Sequence, residues 1–179
     1  MLTDNLHSNY TTIFKVALTC VLTGGLFGAF TNMINGAVSP YYFQSVMGWD
    51  FPEIWTACVA QGILEGLLYG FFFSLIFTTG FGVITKGKAT FKFAINQIMK
   101  IMVIVFSCWA IGGILAVFLS NLSPQFYIKH FPYAPLDRFD RTMFAWVGGS
   151  IWGGILGGLL SSILGVVVVK NSWNKEVTA

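Results

Sequence analysis

Four long apolar stretches limit what this chain can become. They run from about Val16 to Ile34, Ile54 to Ile84, Ile98 to Leu119 and Met143 to Val169. A helix needs about 20 apolar residues to cross the hydrocarbon core of a bilayer, and each stretch is of that order. In lipid, backbone amides have no water to bond to, so each stretch must satisfy its own amides as a helix. The sequence therefore predicts an all-α integral membrane protein, one transmembrane domain over residues 1–179 with four transmembrane helices. Its composition agrees. Hydrophobic residues make up 55% and charged residues 9%, against about 25% charged in ordinary soluble domains. A nucleic-acid-binding surface is excluded as well, since a net charge of +3 gives no clustered basic face.

The polar segment Met1 to Tyr10 precedes the first stretch, and no small-residue cleavage site follows a short apolar core. The first stretch is thus expected to be a retained span, not a signal peptide. The second is long enough to tilt or project. The third has an amphipathic lead-in from Phe91 to Gln97.

Four crossings put Lys15, Lys86, Lys88, Lys92, Lys100, Lys170 and Lys175 on one side of the membrane. The other side receives Lys129, Arg138 and Arg141, offset by Asp137 and Asp140. Basic residues concentrate on the cytoplasmic side of membrane proteins. Both termini are therefore expected in the cytoplasm or its equivalent. The two loops on the far side read SPYYFQSVMGWDFPE and SPQFYIKHFPYAP. Each opens on Ser-Pro, which ends a helix running outward. Each continues with aromatics, which favour the headgroup level. These loops are expected to form an aromatic belt on short interfacial helices, or else an outward-facing lid or docking surface.

A shift of 88 residues aligns the chain with itself. Cys20, Gly24, Gly25 and Phe30 fall on Cys108, Gly112, Gly113 and Phe118. At the same shift Ile63, Gly66, Leu68, Gly70 and Ser74 fall on Ile151, Gly154, Leu156, Gly158 and Ser162. The pattern predicts two tandem helical hairpins, a parallel internal repeat with halves at about 12–92 and 98–175.

Small residues recur every fourth position, which puts them on one helix face. Gly62, Gly66, Gly70 and Ser74 line the second span, Gly24 and Gly28 the first, and Gly112, Ala116 and Ser120 the third. The fourth span carries two adjacent columns: Gly149, Gly153, Gly157, Ser161 and Gly165, then Ser150, Gly154, Gly158 and Ser162. Membrane helices associate through such close backbone approach, so Gly-rich packing is expected. Two columns exceed what one partner helix needs. The fourth helix is expected to have neighbours on two sides, one of them another membrane protein in a hetero-complex or a second copy in a homo-oligomer.

Glu65 is the one acidic residue deep in a predicted span. It lies 11 residues beyond Ile54, roughly 16 Å along a helix, and so near mid-membrane. Gln61 and Tyr69 sit one turn either side of it and complete a polar ridge. An intramembrane carboxyl marks a functional candidate, here an ion or proton site, or else a protonated packing lock. The remaining chemistry is sparse. His7 and His130 lie outside the spans, so histidine-ligated haem is not expected. Cys20, Cys58 and Cys108 have no CxxC spacing, and no metal site, cofactor or catalytic set is predicted. The expectation is a non-catalytic accessory or structural subunit of a larger membrane complex, not an enzyme. The alternative is a small oligomeric channel or transporter with Glu65 as its intramembrane site.

Overall fold

The structure is a computed structural model that describes the backbone of residues 2–50 and 52–178 and the side chains of residues 10–50 and 52–177. Among the described residues it is all-helical: α1 (Leu2–Val38), α2 (Pro40–Met47), α3 (Ile54–Thr85), α4 (Phe91–Leu122), α5 (Pro124–His130) and α6 (Arg138–Thr178). The four long helices hold segments long and apolar enough to cross a membrane, Tyr10–Val38, Ile54–Thr85, Phe91–Leu122 and Arg138–Val177. The chain is a multi-pass membrane protein by length and composition of its helices.

Polar side chains punctuate these helices. Ser39 begins α2 by accepting the Tyr42 amide at 3.3 Å, with Pro40 in the first turn, where a missing amide proton costs nothing. Thr90 begins α4 by accepting the Phe93 amide at 3.2 Å. Asp137 accepts the amides of Phe139 and Asp140 at 2.8 and 3.1 Å and so starts α6. The Ser-Pro pairs thus end one helix and begin a short one, α2 after α1 and α5 after α4. At the opposite end, Lys86 and Gly87 both take positive φ, 51° and 68°, and this tight turn reverses the chain between α3 and α4.

α1 packs chiefly on α3, and α4 chiefly on α6. Both crossings depend on missing side chains. A methyl at Gly24 would strike the carbonyl oxygen of Gly66, and one at Gly28 that of Gly62. A methyl at Gly112 would strike the carbonyl oxygen of Gly149, and one at Gly153 that of Cys108. A methyl at Gly70 would likewise strike the backbone of Cys20 and Val21, and one at Gly157 would lie 2.6 Å from the Cβ of Cys108.

The approaches of Gly24 to Gly66 and of Gly112 to Gly149 join positions 42 and 37 residues apart in the chain.

The buried core is split between the two ends. At the end of the Lys86 turn, Val16, Phe77, Phe81, Phe93, Ile98, Ile101 and Val169 cluster, with Phe77 stacked on Phe81 at 6.0 Å and Trp173 edge-on to Phe93. Lys100 reaches Ser172 there at 3.4 Å. At the end of α2 and α5, Tyr42, Phe43, Cys58, Tyr127, Phe144 and Val147 cluster. α2 touches α1, α3 and α6, so it roofs that end. Outward faces stay apolar, as at Leu26 and Val83, both 73% exposed, which suits lipid contact.

Candidate functional site

Between the two core clusters lies a cavity of about 370 Å³, lined by residues of α1, α3, α4 and α6. Sites for small molecules commonly fall between roughly 300 and 1,000 Å³. Cys20, Ile98 and Ile101 belong both to its wall and to the core at the Lys86 turn.

Glycine geometry sets which α3 side chains reach it. Gly62, Gly66 and Gly70 are buried against α1. Glu65 precedes Gly66, so it points about 100° away from that contact. It is half-buried on the cavity wall, with Tyr69 and Phe72. The Gln61 amide donates to Glu65 Oε1 at 2.7 Å. The three residues of the expected polar ridge therefore divide the work: Glu65 and Tyr69 line the cavity, and Gln61 holds the carboxyl from one turn back. Tyr69 is 51% exposed, so the ridge stands at the margin of the cavity.

α1 supplies polar groups that the sequence reading missed: Thr31, Asn32 and Asn35. Thr31 donates back to the carbonyls of Phe27 and Gly28 at 3.0 and 3.2 Å. Asn35 is 1% exposed and accepts the Ser150 hydroxyl at 3.0 Å, a bond from α1 to α6 across the cavity end. A signal for Asn32 existed, since it continues the Gly24 and Gly28 column one turn further.

On α6 the two small-residue columns separate. Gly149, Gly153 and Gly157 meet α4, and a methyl at Gly165 would lie 2.9 Å from Ile101 and 3.5 Å from Phe77. Gly154 and Gly158 line the cavity with Ser162. A methyl on Gly154 would find only Trp109, at 3.7 Å, and one on Gly158 nothing within 4 Å. In the second column, Gly154 and Gly158 make room, while Ser150 is buried and bonds Asn35 of α1; beside α4, α6 also touches α3.

Electrostatics joins the carboxyl to the roof. Burial raises the Tyr42 phenol above its ordinary range, and the nearby Glu65 carboxylate raises it further. Burial pushes the Tyr127 phenol up to about 12, with Tyr42 as the second cause. Among the described residues that line the cavity, Glu65 alone is a carboxyl and none is Lys, Arg or His. Ionised carboxyls at mid-membrane cost roughly 3 kcal/mol on insertion scales. Such a group can hold a proton or neutralise a cation. No group of three His, Cys, Asp or Glu residues able to share a metal ion occurs among the described residues.

Comparison with protein-family models, with curated proteins and with solved structures finds no match to this chain.

Proposed function

We propose that the protein is a small membrane carrier of channel or transporter type, with Glu65 as the group that binds an ion or proton within the bilayer. One observation carries this reading: among the described residues, the only carboxyl lining the central cavity sits on a wall shared by all four long helices. A packing lock would instead bond across to a neighbouring helix, whereas the hydrogen bond to Glu65 comes from its own helix, at Gln61. Reconstitution into liposomes with an imposed proton gradient and an internal pH dye tests it. The wild-type chain should collapse the gradient, and Glu65→Gln should slow the collapse by about tenfold or more, the scale of a contact worth 1.4 kcal/mol, with an unchanged melting curve. Equal rates for the two proteins would sink the reading.

The orientation is part of the same proposal. Seven basic residues at the Lys86-turn end, against three at the α2 and α5 end, put both termini on the cytoplasmic side. We also read the two hairpins as a tandem repeat with tight Gly-rich crossings, related by an axis along the membrane normal. In its favour are the like contacts at Gly24 and Gly112, once the second connection is shortened by five residues.

An accessory-subunit role has one observation in its favour. Beyond α5, Tyr133, Leu136 and Phe139 are 57, 80 and 69% exposed, an apolar edge that another membrane protein would cover. Purification in mild detergent separates the readings. Co-migrating proteins lost on Leu136→Ser with Phe139→Ser would favour the subunit; a chain that migrates alone and keeps its flux favours the carrier.

A further inference from the structure

We infer that the cavity takes a lipophilic monovalent cation, an organic ammonium or phosphonium carried on apolar groups. This inference rests on the carrier reading above and names its substrate class.

Charge decides the sign and the valence. A ligand in a low-dielectric cavity must match the charge it meets, because an unpaired ion there is costly. Among the described residues Glu65 is the one carboxyl on the wall, and no basic side chain lines it. A single positive charge neutralises it, and a divalent ion would leave one charge over. An anion would meet no cationic partner among the lining residues.

The rest of the wall decides the character of the ligand. Phe27, Phe72, Phe73 and Trp109 present aromatic rings, and Ile98, Ile101, Met102 and Leu159 fill much of the remainder. Such a surface does not replace the water shell of a small inorganic cation, which needs a cage of oxygens. It does accept the hydrocarbon of an organic cation, and ring faces attract the charge itself. Gly154 and Gly158 leave the space that its bulk requires.

The cation pairs with the Glu65 carboxylate, so the two charges cancel inside the cavity. The other titratable groups that line this space are Tyr69 on α3 and Cys20 on α1, and the described lining residues of α4 and α6 add none.

The test is binding of tetraphenylphosphonium to the full chain in lipid nanodiscs. We expect one cation per chain. Glu65→Gln should remove at least about tenfold in affinity, and Gly158→Leu should block binding by filling space while leaving the fold intact. Neutral triphenylphosphine oxide should bind far more weakly. Equal binding by Glu65→Gln, equal binding of the neutral compound, or full binding by Gly158→Leu would each overturn the inference. Loss of proton flux in Glu65→Gln liposomes together with no phosphonium binding would reject the cation class and leave the carrier reading standing. Neither flux nor binding would reject both.

Discussion

Two columns of small residues run side by side down α6, and they do opposite things. Gly149, Gly153 and Gly157 press against α4, with no room for a methyl group. Gly154 and Gly158, one residue further on, border open space. Composition and spacing are the same in both. What differs is the direction: a step of one residue turns about 100° around the helix, from a helix partner to a void. In one column the absent side chain creates attraction through backbone contact. In the other it leaves open space on the cavity wall.

Substitutions can break this contrast in order of effect. Gly153→Leu should be the most damaging, because its side chain meets the Cys108 carbonyl and the Gly112 Cα. Overpacking of this kind costs about 3 kcal/mol or prevents folding; thermal melting in detergent reads it. Ser150→Ala comes next. It removes the hydroxyl that bonds Asn35 and leaves a buried amide oxygen short of a donor, for about 1 kcal/mol. Gly158→Leu should be the mildest, within about 0.5 kcal/mol of wild type, since its Cβ meets nothing within 4 Å. A melting loss at Gly158 as large as that at Gly153 would erase the distinction between the columns.

The roof over the cavity offers a pH handle outside the spans. An unfolded tyrosine ionises near pH 10, while Tyr127 in the fold does so at about 12. A raised phenol favours folding fully below pH 10, and that contribution is lost as pH climbs from 10 toward 12. Tyr42 shifts in the same direction. Alkaline titration of melting should therefore show stability falling across that window, with a shallower fall in Tyr127→Phe. A curve equally steep in the variant would assign the effect to other groups.

Much of the architecture was legible in the residues. Hydropathy alone located the four spans, because lipid admits no other backbone arrangement for such stretches. Glu65 stood out for the same reason, as a carboxyl without water. The cavity was not legible. A four-residue period says that Gly154 and Gly158 share a face, but not whether that face meets atoms or space. Asn32 and Asn35 escaped notice because polar residues near the end of a span look like its boundary.

The central claim is that Glu65 faces the cavity between the four long helices and not bulk lipid. Dicyclohexylcarbodiimide, an apolar reagent that attacks protonated carboxyls, reads this directly by mass spectrometry of the full chain. We expect Glu65 to be the modified residue among the 7 acidic side chains, and Gly158→Leu to lower its modification by about tenfold by narrowing the space beside it. Equal modification of wild type and Gly158→Leu would put the carboxyl at the lipid surface and contradict the account.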